Sequence, residues 1–293
     1  MLKRDHQQMK RNKSFDNNGF VLYLVATPIG NLSEMSKRAI DTLNDVDLIA
    51  AEDTRNTYSL LEKFGIKKEL LSLREHNESQ ASEHLISLIK EGKKVAYVSD
   101  AGYPGISDPG QILVKKALES GIKVSTISGS SAFLNALVAS GLSTTHFYFY
   151  GFLPPKDKEA KEELENIKSR SETTILYESP HRIFKTLSLI KEVLNNRELV
   201  LARELTKLNE EYIHGTAEEI LTLENEGLKG EMVIIISGCM DKPVVEDTKI
   251  LNRVGYLIKM GLSNKNAIEI AAEEMNISKN YIYKLANKAD FSK

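Results

Sequence analysis

At 293 residues, the chain is long enough for two modest domains or one large one. Its hydrophobic and charged contents, 41% and 27%, are those of an ordinary soluble protein, and it has neither the apolar run of a membrane-spanning helix nor that of a secretory signal. The single cysteine excludes an internal disulfide, so we expect a cytoplasmic protein. The six histidines are scattered and predict no metal site, and the net charge of −2 argues against indiscriminate nucleic-acid binding.

The charge is distributed unevenly along the chain. Residues 1–19 and residues 247–293 each carry a net charge of +3, while the segment between them carries −8. Basic ends on an acidic body are typical of a protein that contacts a polyanion at its periphery, although short basic tails often serve only solubility. Residues 1–19 are polar and aperiodic, and we expect them to form a disordered tail.

From residue 20 onwards, short apolar runs alternate with helical patterns. We expect strands at residues 22–26, 47–51, 94–98, 122–127 and 147–151, and helices at residues 36–44, 55–64, 79–91, 110–120 and 131–140. This alternation predicts a mostly parallel sheet with helices on both faces. We interpret residues 20–143 as a first α/β domain.

Pro154 and Pro155 interrupt this pattern, and a highly charged helical segment follows them. A second alternation predicts helices at residues 157–169, 181–194 and 216–225, and strands at residues 173–177, 198–202, 210–214 and 231–237. We assign residues 144–240 to a second α/β domain. The expected fold class is therefore α/β, with two such domains followed by a small helical domain.

The final segment, residues 247–293, has a purely helical pattern. Apolar residues recur at helical spacing in two groups: Ile268, Ala271, Ala272 and Met275, then Ile282, Leu285, Ala286 and Ala289. Ser278 is placed to cap the second helix. Two short helices joined by a tight turn resemble a helix-turn-helix, although a plain helical hairpin would show the same pattern. The candidate RNA contacts off the apolar face of the second helix are Lys279, Tyr281, Lys284 and Lys288.

Several common ligand motifs are missing from the chain. No two glycines stand two residues apart, so the G-x-G-x-x-G fingerprint of dinucleotide sites and of ordinary Rossmann methyltransferases is absent. The chain also lacks a Walker A loop and a G-x-S-x-G turn, and no H-E-x-x-H pair suggests a catalytic metal. These absences argue against P-loop nucleotide hydrolysis.

Unusual turns follow the first two predicted strands. In ATPIGN, Pro28 ends strand pairing, and Gly30 allows a sharp turn or a close approach to a ligand. Glu52, Asp53 and Arg55 follow the apolar run LIAA without a structural need for charge. Because ligands bind outside the carboxyl ends of parallel strands, both turns indicate one crevice.

A longer loop, SDAGYPGISDPG at residues 99–110, follows the strand VAYV. Its glycines, prolines and aspartates predict a rigid loop that presents backbone groups to a ligand. Asp108 has a structural explanation as the N-cap of the next helix, with Pro109 at the first helical position. Residues 100–103 have no such explanation. The SGSSA turn at residues 128–132 either caps a helix or holds an adenosine ring.

Two charged turns follow strands of the second half. In YESPHRI, Ser179 and Pro180 are explained as a helix cap and first helical residue, which leaves Glu178, His181 and Arg182 at the strand end. The segment LARELTK repeats this arrangement. Two charged clusters at strand ends favour a ligand site over a chance ion pair.

Five motifs together, VATPIGNL, AEDTR, GYPGISDPG, LYESPHR and ARELTK, resemble those of the tetrapyrrole-methylase-like class of S-adenosylmethionine (SAM) methyltransferases, known as class III. Within that class, the chain is similar from residue 19 to residue 238 to the branch of ribosomal RNA small subunit methyltransferases. The resemblance implies two α/β domains with SAM in the cleft between them, and a homodimer. It also implies 2′-O-methylation of a cytidine ribose in the decoding region of 16S rRNA within the 30S subunit.

The resemblance further assigns roles to residues of this chain. The implied SAM contacts are Pro28, Asp100, Ala101, Gly102, Tyr103, Ile106, Ser131, Ala132, Phe152, Glu178, Leu205 and Gly230. Tetrapyrrole-making members carry G-G-D-P where this chain has A-G-Y-P, which counts against a porphyrin substrate.

The expected reaction removes a proton from a ribose 2′-hydroxyl and requires no metal. The candidate bases are Glu52, Asp53, Glu178 and His181, and the candidate phosphate clamps are Arg55 and Arg182. Two alternatives remain open: a methylase of the same class acting on a tetrapyrrole or a protein residue, and a SAM-binding ribosome assembly factor without turnover.

Overall fold

A computed structural model describes residues 20–239, 247–275 and 277–286. The chain divides into two compact units, Met1–Gly238 and Cys239–Lys293. The expected basic tail at residues 1–19 and the candidate RNA contact Lys288 lie outside the described residues.

The first sheet of the first unit has five parallel strands in the order β3-β2-β4-β1-β5. Its strands are β1 (Val21–Val25), β2 (Leu48–Ala51), β3 (Glu69–Ser72), β4 (Val95–Val98) and β5 (Lys123–Ile127). The helices that alternate with them are α1 (Lys37–Asp45), α2 (Thr54–Lys63), α3 (Glu78–Lys90), α4 (Gln111–Glu119) and α5 (Ala132–Ala139). Because β1 lies between β4 and β5, the turns after these three strands meet at one edge of the sheet.

Helices cover both faces of this sheet, as the continuous apolar runs in the sequence predict. All four residues of β2 and all four of β4 are buried. One face packs on α1 and α2 through Leu43 and Leu61, and the other packs on α3 and α4 through Leu85 and Leu113. The predicted parallel sheet with helices on both faces is confirmed.

The second sheet is mixed and has the strand order β6-β7-β10-β8-β9. Its strands are β6 (Phe147–Phe152), β7 (Thr173–Glu178), β8 (Glu198–Arg203), β9 (Glu211–Thr216) and β10 (Met232–Ile236). The helices of this half are α6 (Asp157–Lys168), α7 (Ile183–Leu194) and α8 (Ala217–Leu221). β6 and β7 are parallel, and the remaining neighbours are antiparallel. One face packs on α6 and α7 through Leu164 and Leu187.

The opposite face of the second sheet packs on α5. Leu137 of α5 shares an apolar cluster with Ile175 and Val200 of that sheet, and Ile29, from the turn after β1, belongs to the same cluster. Both sheets therefore lie in one compact unit. The expected division into domains between residues 143 and 144 stays a prediction.

Three details of the predicted elements need correction. The strand β3 was not expected, because two half-buried leucines between exposed Glu69 and Ser72 are too short a run to show a period. The helix expected from residue 181 begins at Ile183. The helix expected over residues 216–225 ends at Leu221, with a separate 3₁₀ turn at Glu224–Glu226.

The second unit contains three helices within its described residues: α9 (Asp247–Lys259), α10 (Asn264–Met275) and α11 (Lys279–Ala286). They share an apolar core that includes Ile250, Ile268 and Ile282. Three residues separate α10 from α11, a spacing typical of a helix-turn-helix pair. Across the described part of the chain, no helix combines the length and apolar character needed to cross a bilayer.

Candidate active-site cleft

The turns after β1, β4 and β5 form one continuous wall. The Thr27 N–H donates to the Gly102 carbonyl at 2.9 Å, and the Gly102 N–H donates back to the Thr27 carbonyl at 3.1 Å. Gly102 has φ +73°, a conformation that favours glycine. The Tyr103 hydroxyl accepts a hydrogen bond from the Gly129 N–H at 3.2 Å, which ties the turn after β5 to the same wall.

A cavity of about 350 Å³ is lined by this wall and by strand-end residues of the second sheet. Its volume falls in the range of small-molecule sites. Ten of the twelve implied SAM contacts line it: Asp100, Ala101, Gly102, Tyr103, Ile106, Ser131, Ala132, Phe152, Glu178 and Leu205. The structure therefore brings together most of the predicted cofactor residues at one cleft.

Pro28 and Gly230 are the two implied contacts that do not line the cavity, although their neighbours Ile29 and Glu231 do. Gly230 has φ +90°, and a Cβ there would overlap the carboxylate of Glu204. This glycine is required by backbone conformation and packing at the edge of the cleft.

The backbone is strained at three non-glycine residues beside the cleft. Ser107, Glu204 and Thr206 have φ values of +61°, +51° and +67°. Ser107 lines the cavity itself, and the other two flank the lining residue Leu205. Left-handed conformations of such residues cost of order 1–3 kcal/mol each and cluster at functional sites. The strained backbone at Ser107 and on either side of Leu205 supports the cleft as the functional site.

Glu52 is the candidate base that faces the cavity without an ion pair among the described residues. Burial raises the pKa of Glu52, the Asp100 and Asp53 carboxylates add to this rise, and a hydrogen bond from the Asp100 N–H at 3.4 Å opposes it. A half-buried carboxyl with a raised pKa in a ligand cavity is suited to accept a proton.

Asp53 lies just outside the cavity and caps α2. It accepts a hydrogen bond from the Arg55 N–H at 2.9 Å, and the Arg55 guanidinium donates to its two carboxylate oxygens at 3.1 and 2.7 Å. These bonds hold the pKa of Asp53 well below its ordinary value. A carboxylate held so firmly in its ionised form is a weak proton acceptor. The Arg55 side chain remains largely exposed beyond this pair.

Glu178 is buried at the cavity wall, and both of its carboxylate oxygens are engaged. One accepts a hydrogen bond from the Ser179 N–H at 2.8 Å, and the other accepts one from the Thr186 hydroxyl at 2.6 Å. A nitrogen of Arg182 lies 3.6 Å from the same carboxylate. This arrangement fixes the end of β7 and leaves Glu178 little freedom to act as a base.

Arg182 and His181 do not line the cavity. The Arg182 guanidinium donates to the carbonyls of Leu153 and Pro154, both at 3.2 Å, so it is engaged in holding the chain after β6. His181 is exposed. Of the two candidate phosphate clamps, Arg55 is the one whose side chain is turned mostly to solvent.

The expected helix cap at Asp108 is wrong. Helix α4 begins at Gln111 behind Gly110, and its first N–H groups are capped from another helix by the buried carboxylate of Glu78. Glu78 accepts from the N–H groups of Gly110 and Ile112 at 2.8 and 2.9 Å. Asp108 instead lines the cavity, where burial raises its pKa to about 6. Sequence reasoning missed this residue because an Asp-Pro pair before a helix usually marks a cap.

The expected cap at Ser179 is also wrong. Helix α7 begins at Ile183, with Arg182 at the cap position. Ser179 and Pro180 line the cavity instead. Asp108, Ser179 and Pro180 therefore line the cleft, because each helix begins two or three residues later than its signal predicts.

The apolar side of the cavity includes Tyr177, Phe152 and Val233. The Tyr177 ring contacts Phe149 and Phe152, with centroid distances of 5.1 and 5.6 Å. Its hydroxyl accepts a hydrogen bond from the Phe133 N–H at 3.3 Å, and burial raises its pKa to about 12. Tyr177 and Val233 were not predicted as site residues, because side chains inside a strand carry no motif signal.

Three of the four candidate RNA contacts of the second unit lie on α11. Lys279 pairs with Glu269 at 3.2 Å, and the Tyr281 hydroxyl donates to Asp247 at 2.8 Å. Lys284 is exposed and has no ion-pair partner within the described part of the chain. Lys288 lies outside the described residues.

Comparison with known proteins adds to this geometry. Residues 21–221 match the family of Tetrapyrrole (Corrin/Porphyrin) Methylases. The chain is 43% identical to the "Ribosomal RNA small subunit methyltransferase I" of Bacillus subtilis (strain 168), over 94% of this chain and 97% of that protein. It is 44% identical to the protein of the same name from Escherichia coli O157:H7, over 95% of this chain and 98% of the relative. A crystal structure of diphthine synthase shares the fold, with a TM-score of 0.58 at 14% identity over 74% of this chain and 89% of that one.

The chain therefore has the fold of the Tetrapyrrole (Corrin/Porphyrin) Methylases family, with one parallel and one mixed sheet, and it is a methyltransferase. The chain is more than 40% identical, over nearly its full length, to two ribosomal RNA small subunit methyltransferases I, and this identity places it within the class. The chain belongs to the ribosomal RNA small subunit methyltransferase I family.

Proposed function

We propose that this protein transfers a methyl group from SAM to the ribose 2′-oxygen of a cytidine in the decoding region of 16S rRNA within the 30S subunit. The observation that carries the proposal is membership of the ribosomal RNA small subunit methyltransferase I family along nearly the whole chain. The cleft supports it, because its lining combines apolar and small residues that suit a methyl donor with a carboxylate suited to proton removal.

The cleft is chemically suited to SAM. Phe152, Tyr177 and Leu205 offer apolar surface for an adenine ring. The small residues Ala101, Gly102 and Ala132 leave room for a ligand, and Glu52, Asp100 and Asp108 present negative charge. When bound, SAM supplies a methyl group that is already activated for displacement by its sulfonium, so the protein mainly has to align the reacting atoms.

Glu52 is the proposed general base, ahead of Asp53, Glu178 and His181. Glu52 lines the cavity, and burial raises its pKa. Asp53 and His181 do not line the cavity, and both carboxylate oxygens of Glu178 already accept hydrogen bonds. In this scheme the Glu52 carboxylate takes the proton from the 2′-hydroxyl as that oxygen attacks the methyl carbon. A base in this position typically contributes on the order of 10²–10⁴-fold to the rate.

Arg55 is the proposed phosphate clamp. Its pairing with Asp53 through two hydrogen bonds fixes the guanidinium at the start of α2, and its exposed side retains donors for a phosphate. Arg182 is a weaker proposal, because its contacts to Glu178 and to two backbone carbonyls already engage it.

The alternatives predict different outcomes from this one. The A-G-Y-P segment counts against a tetrapyrrole, because tetrapyrrole-making members of the class carry G-G-D-P at this position. A protein substrate and a SAM-binding assembly factor without turnover remain to be tested by product formation. Homodimer formation, cytoplasmic location, independence from added metal and RNA contacts by the second unit are further parts of the proposal.

The deciding experiment incubates the full chain with methyl-labelled SAM and 30S subunits that lack the modification, followed by mapping of the label. We expect label on the ribose of one decoding-region cytidine. Label on ribosomal protein would support the protein-residue alternative. SAM binding without label in any component would support the assembly factor.

A further inference from the structure

The cleft of the first unit is lined by acidic groups. Five carboxylates line the cavity: Glu52, Asp100, Asp108, Glu178 and Glu231. None of the described lining residues is a lysine, arginine or histidine. An acidic cavity repels RNA phosphates, so its charge is unsuited to the polyanion and suited to a cation.

Two of the five carboxylates have a cationic neighbour outside the lining. A nitrogen of Arg182 lies 3.6 Å from Glu178, and the Lys207 Nζ lies 3.5 Å from Glu231. Lys207 also pairs with Glu204 at 3.0 Å, so it balances the charge of Glu231 only in part. The other three carboxylates of the lining have no such cationic neighbour among the described residues.

Glu52, Asp100 and Asp108 have no cationic nitrogen of a described residue within 4.0 Å. Neutral groups hold Asp100 in place: it accepts hydrogen bonds from the Asp53 N–H at 3.2 Å and from the Asn56 side-chain amide at 2.8 Å. Uncompensated carboxylates in a partly buried cavity are costly unless a bound cation neutralises them.

We propose that Glu52, Asp100 and Asp108 read the positive charge of the methyl donor, so that the cleft binds SAM in preference to its product, S-adenosylhomocysteine (SAH). This inference rests on the proposed function. In the proposed transfer, the bond between the methyl carbon and sulfur would break with its electron pair left on sulfur, the methyl group would join the ribose oxygen, and Glu52 would take the proton of that hydroxyl. The sulfonium charge disappears, the attraction to the three carboxylates weakens, and the product exchanges readily for fresh donor.

Asp108 is the carboxylate at which recognition of the sulfonium charge is best tested. Burial and the Glu52 and Asp100 carboxylates together raise the pKa of Asp108 to about 6, against the opposing effect of a hydrogen bond from Ser99. The phenols of Tyr97 and Tyr177 are the other titratable groups coupled to it, and their pKa values are also raised. Asp108 therefore loses its charge as the pH falls through about 6.

The experiment measures the dissociation constants of SAM and SAH for the full chain by calorimetry. SAM and SAH share their amino and carboxylate groups, so the ratio of their constants isolates the sulfonium. We expect Asp108→Asn to reduce the preference for SAM about tenfold at about pH 7.5, as expected for loss of one unit charge in a partly buried site. Asp41→Asn is the matched control, because Asp41 is an exposed acid of the same unit that pairs with Lys37 outside the cleft.

The unmodified chain provides a second measurement that needs no variant. Its preference for SAM should fall between about pH 7.5 and about pH 5, because Asp108 becomes protonated over that range. SAM binding with a ratio that neither the substitution nor the pH changes would overturn this inference alone. A chain that does not bind SAM would overturn the proposed methyl donor as well.

Discussion

Glu52 is the residue on which the proposed proton transfer depends. Glu52→Gln keeps the size of the side chain and removes the proton acceptor, so we expect the single-turnover methylation rate at saturating SAM and 30S subunits to fall on the order of 10²–10⁴-fold. Glu75→Gln is the matched control, because Glu75 is an exposed neighbour that influences the pKa of Glu52 from outside the cavity. A Glu52→Gln rate within a few-fold of the unmodified protein would remove Glu52 from the mechanism.

The same residue should set the pH dependence of the reaction. Burial raises the pKa of Glu52, so its active, deprotonated form is lost on acidification at a higher pH than for an exposed glutamate. We expect the single-turnover rate to rise with pH through a limb that lies above the ordinary pKa of a glutamate side chain. Glu52→Gln should lack that limb, and a limb that survives the substitution would point to a different base.

At the scale of residues, sequence patterns located the loops better than they located the side chains that face the cavity. Asp100 and Tyr103 could be predicted because no structural role explained them. Asp108 could not, because its position before Pro109 offered helix capping as an explanation. Tyr177 and Val233 reach the cavity from within strands, where a buried apolar residue gives no sign that a ligand covers it.

At the scale of elements, the start of α4 depends on a side chain from α3. Glu78 is buried and accepts hydrogen bonds from the N–H groups of Gly110 and Ile112. We expect Glu78→Ala to lower the free energy of unfolding by about 2–4 kcal/mol, because it leaves these N–H groups without an acceptor. Chemical denaturation measures this loss, and Glu83→Ala is the control, because Glu83 is an exposed residue of the same helix.

The Glu78 substitution should also weaken SAM binding, since the loop before α4 carries Tyr103 and Asp108 into the cavity. A large loss of stability with unchanged SAM affinity would show that the loop holds its shape without the cap. No local pattern predicts this cap, because Glu78 and Gly110 are far apart in the chain. The strands and helices themselves were predictable, since continuous apolar runs and helical periods are local signals.

At the scale of the whole molecule, the sequence predicts that the acidic body and the two basic ends have different roles. The body between residues 19 and 247 carries −8, and its cleft is lined by five carboxylates. The two ends each carry +3. We therefore expect a polyanionic substrate to be attracted mainly by basic groups outside the cleft.

Lys284 on α11 is the strongest candidate for such a contact among the described residues of the second unit. It is exposed without an ion-pair partner in the described range, whereas Lys279 is paired with Glu269. We expect Lys284→Ala to weaken binding of 30S subunits and to reduce the slope of log affinity against log salt by about 0.7–0.9, the value for one phosphate contact. SAM affinity should not change, because the cavity lies in the first unit.

Lys249 on α9 provides the matched control, since it is an exposed lysine of the same unit on a different helix. Lys249→Ala removes the same net charge, so a general effect of charge would appear equally in both variants. A specific contact through α11 predicts a change in the salt slope for Lys284→Ala alone. Equal slopes in the two variants would mean that the second unit attracts RNA through its overall charge rather than by presenting α11 as a recognition helix.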